Sequence, residues 1–182
     1  MQNKIWIFTV TILILLAAGV YIAYNKYLFN QNSPAGKTVQ IDGYNVEYSS
    51  DGQTATITDP KTGIKLMTGK DLKIPATFPT EFPIYQNGKV TLISPDPSFP
   101  MLSIESADAI PQAMGWFKEA LPKQGWTISG EEQATPELGQ IYFGNDQYSG
   151  AVTFAKDKQS GLTMITLSAM TAEEAQKIGQ AQ

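Results

Sequence analysis

The chain has 182 residues, no histidine, no cysteine and a formal net charge of −4 at pH 7, and all 13 of its basic residues are lysines. Without histidine or cysteine, the Ser-His-Asp and Cys-His nucleophile arrangements and the ordinary zinc and haem ligand sets are excluded. An acidic chain without arginine also lacks the basic surface that binds nucleic acid. We therefore expect no nucleic-acid partner and no cofactor. A calcium site with oxygen ligands is still open to an acidic chain, but no acidic stretch has the spacing of an EF-hand loop, so we expect no metal.

The first predicted element is Ile5–Tyr24, a run of twenty residues without a charge. A helix of this length spans about 30 Å, the thickness of a bilayer's hydrocarbon core. Trp6 at one end, and Tyr21, Tyr24 and Tyr27 at the other, are typical of aromatic side chains at the two membrane interfaces. The pattern predicts a transmembrane anchor.

A cleaved signal peptide is the alternative, because Ala17-Ala18-Gly19 has the small residues of a cleavage site. The apolar run continues past Gly19 to Tyr24, which favours an uncleaved signal anchor. Only three residues precede Lys4, as is usual when the following domain is exported. We therefore expect a single-pass membrane protein whose soluble domain is extracytoplasmic.

Beyond a polar, turn-rich linker, alternating apolar residues predict three short strands at Tyr44–Ser49, Gln53–Thr58 and Ile64–Thr68. The following segment, KIPATFPTEFPIYQ (Lys73–Gln86), has a proline every four residues, which forbids both a helix and a central strand. We expect an extended segment pinned to the domain by its aromatic and apolar side chains.

Two strands, Lys89–Ser94 and Met101–Ser106, then precede a helix over Ala109–Gln124. Asp108 is its predicted N-cap and Gly125 its predicted C′ residue. The apolar positions of this helix recur at intervals of four, three and four residues, and the pattern predicts one buried stripe. The stripe consists of Ile110, Met114, Phe117 and Leu121.

Four more strands are predicted before Thr171, which begins a Thr-x-x-Glu capping box with Glu174. These strands are Trp126–Gly130, Leu138–Phe143, Ala151–Ala155 and Leu162–Leu167. The predicted fold class is α+β: an N-terminal transmembrane helix, then a mainly antiparallel sheet with one principal helix packed on a face. The predicted organisation is an anchor (1–29), a linker (30–38), a β-meander (39–72), a proline-rich segment (73–88), a core α+β module (89–170) and a short C-terminal helix and tail (171–182).

The stretches FPTEFPIYQNGKV and GWFKEALPKQGWTI, separated by two strands, resemble a module that recurs in uncharacterised, membrane-anchored bacterial envelope proteins. The resemblance covers Leu72 to Leu167. It implies an envelope location and no assigned activity. The chain departs from the usual form at Gln86-Asn87, where a Pro-Asn or Pro-Gly turn is commoner.

Carboxylates are the remaining candidates for chemistry. Glu131 and Glu132 are adjacent on a predicted strand and therefore point to opposite faces, and Glu137 follows in a loop. Asp96 and Asp146 lie in turn sequences, where aspartate bonds its own backbone. The pattern favours solvated acids and predicts no catalytic residue.

Trp116 is the candidate for a contact surface, because it precedes Phe117 and the two side chains cannot both lie centrally in the buried stripe. Tyr85 and Phe99 are its expected companions, whereas Trp126 is expected to pack in the core. Two functions remain open. The favoured one is a non-catalytic module that binds an envelope protein or helps to order an assembly. The alternative is an envelope carrier of a sugar or peptide, or a carboxylate-based hydrolase.

Overall fold

The computed structural model describes residues 34–61 and 63–174. Within these ranges ten strands form one antiparallel sheet, and a fourteen-residue helix packs against it. The strands are β1 (Thr38–Ile41), β2 (Tyr44–Tyr48), β3 (Thr54–Thr58), β4 (Lys65–Gly69), β5 (Lys89–Ser94), β6 (Met101–Ser106), β7 (Thr127–Thr135), β8 (Leu138–Gly144), β9 (Tyr148–Lys156) and β10 (Thr163–Thr171), and the helix is α1 (Ile110–Lys123).

The strand order is β1-β2-β3-β4-β5-β6-β10-β9-β8-β7. Strands β1 to β6 follow one another as a meander, and β7 to β10 return as a second meander. The two meanders join where β10 pairs with β6, with Ile165 opposite Ile104. Helix α1 carries the chain from β6 in the middle of the sheet to β7 at its edge, so the helix crosses one face of the second meander.

The face under α1 carries the main core. Ile104 on β6, Ile165 on β10 and Phe154 on β9 lie opposite one another across the sheet and are almost fully buried. The predicted stripe of α1 packs against this row, because all four of its residues belong to the same buried cluster. Alternating residues of these strands therefore bury one face of the second meander and of β6 beneath the helix.

The second face of the sheet mixes apolar and hydroxyl side chains. Leu92, Met101 and Met170 form a separate apolar cluster there. Beside them Ser103 lies opposite Thr166, and their hydroxyl groups are 2.9 Å apart and hydrogen-bonded. This pairing satisfies two buried polar groups across neighbouring strands.

Both ends of α1 follow from local chemistry. Pro111 lies in the first turn, where its missing N–H costs little. At the other end Gly125 has a φ of +85°, the Gly125 N–H donates to the Pro122 carbonyl, and the Trp126 N–H donates to the Leu121 carbonyl. These two bonds form a Schellman motif, which turns the chain directly into β7.

The structure corrects the predicted α+β class. Ten strands and a fourteen-residue helix make the described residues mainly β. The prediction was wrong because it missed β1 and made several later strands too short. Strands β7, β9 and β10 each have nine residues, where five or six had been predicted. Their small and hydroxyl residues suggest loops in the sequence, but they pair across the sheet.

The predicted membrane localisation is also corrected. No helix among the described residues is long and apolar enough to cross a membrane, so the structure does not support a signal anchor or a single-pass membrane protein. The predicted span Ile5–Tyr24, with Trp6, Tyr21, Tyr24 and Tyr27, lies outside the described residues.

The first and last described segments are strand β1 and a capped turn at Thr171. Strand β1 begins at Thr38, which had been assigned to the linker, and residues 30–33 lie outside the described ranges. At the other end the Thr171 hydroxyl accepts a hydrogen bond of 3.3 Å from the Glu174 N–H, as an N-cap does. Residues 175–182 of the predicted tail are outside the description.

Candidate functional site

The proline-rich segment between β4 and β5 lies across the helix side of the sheet, and we call residues 70–88 the strap. Two consecutive Pro-x-x-Phe turns shape it. The Phe78 N–H donates to the Pro75 carbonyl at 3.0 Å, and the Phe82 N–H donates to the Pro79 carbonyl at 3.4 Å. Each turn begins at a proline, and its bond runs from the N–H of the fourth residue to the carbonyl of that proline. Both phenylalanines are almost fully buried.

Phe82 is the main anchor of the strap. Its ring centroid lies 4.7 Å from that of Trp126, 5.4 Å from Tyr148 and 6.3 Å from Phe143. Such tilted and edge-on contacts are the favoured arrangements of aromatic pairs. The Trp126 indole N–H also donates to the Glu81 carbonyl at 2.7 Å. The backbone of the strap is thereby fixed against the end of α1.

Tyr85 fixes the strap at a second point. Its hydroxyl group donates to the carboxylate of Asp108 at 2.5 Å. Burial raises the pKa of Tyr85 to about 12, and the hydrogen bond and negative charge of Asp108 act in the same direction. Asp108 was predicted to cap α1, but the N-cap residue is Ala109, which forms no side-chain cap bond.

Between the strap and the C-terminal half of α1 lies a groove of about 530 Å³. The apolar residues that line it are buried or half-buried and form its inner surface, whereas its polar residues are exposed and form its rim. The residues that line it are Thr80, Phe82, Ile84 and Gln86 of the strap, and Trp116, Glu119, Ala120, Lys123 and Gln124 at the helix. The groove is thus formed by two elements that are each anchored to the core.

Trp116 is half-buried at this groove, which distinguishes it from the fully buried Trp126. Its ring lies 5.2 Å from Tyr85 and 4.8 Å from Phe117, nearly perpendicular to both. These contacts fix the position of the indole ring. No acceptor for the Trp116 N–H is found among the residues that the structure describes, so this donor is available to a ligand.

The charges at the groove cancel each other. Glu119 and Lys123, one turn apart on α1, form an exposed ion pair of 3.7 Å. The neighbouring Lys118 is paired with Glu131 of β7 at 2.8 Å. The rim therefore has no net charge, although the chain as a whole carries −4.

The structure brings together two of the three residues predicted to form a contact surface. Tyr85 and Trp116 are in ring contact, but Tyr85 is almost fully buried and supports Trp116 without lining the groove. Phe99 is buried in the cluster on the second face of the sheet, where it cannot line the same surface. Ala120 was missed, although its spacing of four residues from Trp116 places both on one side of a helix. That spacing was the signal available in the sequence.

The acidic residues considered for catalysis lie outside the groove, in exposed ion pairs, in turns or at an exposed position of β7. Glu131 is paired with Lys118, and Glu137 lies 3.4 Å from Lys158 in an exposed ion pair. Across residues 34–61 and 63–174 no group of three or more acidic, histidine or cysteine side chains is placed to hold a metal ion. Glu119 is the one carboxylate among the residues lining the groove.

Comparison of the chain with protein-family models, with curated proteins and with solved structures gave no match in any of the three.

Proposed function

We propose that the protein is a non-catalytic binding module that docks a partner protein in the groove between α1 and the strap. The observation that supports this most directly is Trp116, a half-buried aromatic residue beside a concave apolar surface with an unused hydrogen-bond donor. Tryptophan residues in such positions often contribute a large share of binding energy, because they combine apolar area with a polar group.

The rigidity of the groove supports the same proposal. The strap is held by the Phe82 cluster and by the bond from Tyr85 to Asp108, and α1 is held by its buried stripe. A surface that is ordered before binding loses less conformational entropy when a partner docks. The groove is therefore suited to recognition without rearrangement.

The alternative of a carboxylate-based hydrolase fits the groove less well. Such an enzyme needs two carboxyl groups facing one substrate. Glu119 is the single carboxylate lining the groove, and it is paired with Lys123. A binding role requires no second acid, so it is the function that these residues favour.

Photo-cross-linking of the full chain in its native host tests the proposal. A photoreactive amino acid at Gln124, on the groove rim, should give a discrete adduct with a partner protein. The same amino acid at Leu138, an exposed apolar residue outside the groove, is the control and should not give that adduct. Equal adduct yields at the two positions, or none at Gln124, would overturn the proposal.

Two substitutions on α1 test whether the adduct depends on the groove itself. Ala120→Glu places a charge in the groove and should abolish the adduct at Gln124. Gly115→Glu adds the same charge to the same helix at an exposed position with open space around it. The second variant should keep the adduct. An adduct that persists in the Ala120→Glu chain would contradict docking in the groove.

A further inference from the structure

The chemistry of the groove indicates what kind of partner segment it accepts. The inner surface is formed by Phe82, Ile84 and Ala120, none of which offers a polar side-chain atom. The polar side chains lie at the rim, and the two charged ones are paired with each other. A charged ligand would lose hydration here without gaining a charged partner, so the groove is complementary to an uncharged segment.

The backbone around the groove points to an extended ligand. The strap residues that line it belong neither to a helix nor to a strand. Apart from the turn bond of Phe82 to Pro79, no backbone–backbone bond of these lining residues is found in the described part of the chain. The Ile84 carbonyl accepts a bond of 2.9 Å from the exposed side-chain amide of Gln86. A peptide donor can replace that amide at little cost, because Gln86 is then free to bond water.

Trp116 supplies the complementary donor. Its indole N–H has no acceptor among the described residues, and its ring is held in place by Tyr85 and Phe117. A fixed donor beside an apolar groove can bond a backbone carbonyl of an extended peptide, and proline-rich peptides dock in grooves lined by aromatic residues. Such peptides carry no internal hydrogen bonds, so their carbonyl groups are available.

Resting on the proposed function, we infer that the groove binds an uncharged, extended peptide segment of the partner, with a backbone carbonyl accepting a hydrogen bond from the indole of Trp116. A carbohydrate fits less well. Sugar hydroxyl groups need several polar partners at once, and the inner surface of the groove offers apolar atoms instead.

A selection from random displayed peptides on the immobilised full chain tests this inference. Peptides recovered on the natural chain should be rich in proline and apolar residues and poor in charged residues, relative to the unselected library. Peptides rich in charge, or no enrichment over the Ala120→Glu chain, would overturn the inference. A parallel glycan array that shows binding dependent on Trp116 would do the same.

Affinities of chain variants for the best recovered peptide then test where it binds. Trp116→Phe keeps an aromatic ring but removes the N–H, and it should weaken binding about five-fold, the effect of one hydrogen bond. Ala120→Glu should weaken binding more than about ten-fold, whereas Gly115→Glu should bind like the natural chain. Unchanged affinity in Trp116→Phe would contradict the assigned bond. A groove-specific adduct at Gln124 without any peptide binding would refute the peptide class and leave the docking proposal intact.

Discussion

Tyr85 shows how a single side chain positions the strap. Its hydroxyl group donates to the carboxylate of Asp108 from 23 positions earlier in the chain, and its ring supports Trp116. The sequence indicated that Asp108 would cap α1, because aspartate before a helix usually bonds the first free N–H groups. Instead, the Asp108 carboxylate accepts a bond from Tyr85, which is distant in the sequence. No local sequence pattern predicts a partner of this kind.

Tyr85→Phe should lower the free energy of unfolding at neutral pH by about 1 kcal/mol, because one hydrogen bond to a charged group is lost. Asp108 is half-buried and can still bond water, which limits the cost. Urea unfolding measures the change. Tyr44→Phe is the matched control, because Tyr44 is exposed, and it should leave the unfolding midpoint unchanged.

The raised pKa of Tyr85 also predicts a pH dependence. Its pKa is about 12 in the folded chain and near 10 when unperturbed, so folding favours the neutral phenol. The resulting stability is fully present below pH 10 and is lost as the pH rises through about 12. Part of the loss should remain in Tyr85→Phe, since burial also raises the pKa of Tyr48, Tyr142 and Tyr148. An identical alkaline profile for both chains would contradict the role of Tyr85.

Two aromatic residues of the predicted contact surface meet, and the third does not. The sequence placed Trp116 beside the helix stripe, and helical geometry is regular enough to predict a half-buried position. Phe99 follows a turn in which the Ser98 N–H donates to the Asp96 carboxylate at 2.9 Å. That turn places Phe99 on the second face of the sheet. The presence of an aromatic residue does not by itself predict which face of the sheet its side chain occupies.

At the scale of elements, α1 was the most predictable part of the fold. Its buried stripe, the proline in its first turn and its closing glycine are all local signals. Nine of the ten described strands were predicted, β1 was missed, and several later strands were predicted too short. Ser168 continues β10 past its predicted end at Leu167 and pairs with Met101 of β6. Hydroxyl residues are common in turns and in strands, so the sequence does not show that they pair.

Two glycines of this helical region should respond to alanine with opposite signs. Gly115 lies inside α1, and an added methyl group would meet nothing within 4 Å. Gly115→Ala should therefore raise the free energy of unfolding by about 0.5–1 kcal/mol, because glycine is a poor helix former. Thermal unfolding of the full chain measures the effect.

Gly125 is the matched control. It also has open space around the position of a Cβ atom, but its φ is +85°. Gly125→Ala should lower stability by about 1 kcal/mol, because an L-residue is strained in the left-handed conformation. If both variants changed stability in the same direction, the assigned ends of α1 would be wrong.

For the whole molecule, the order of the strands in the sheet could not be predicted from the sequence. Strand β10 joins the two meanders by pairing with β6, which precedes it by more than fifty residues. Periodicity predicts which face of a strand is buried but not which strand lies beside it. The groove depends on this order, because α1 must cross from β6 to β7 for its C-terminal half to meet the strap.

The groove between α1 and the strap is proposed as the binding surface, and backbone amide shifts of the full chain can locate that surface. Nuclear magnetic resonance spectra recorded while the selected peptide is added observe every part of the sheet at once. The large shifts should cluster at strap residues 80–86 and helix residues 116–124, and Ala120→Glu should abolish them. Shifts centred on the second face of the sheet, or on its edge strands β1 and β7, would show that the peptide binds elsewhere.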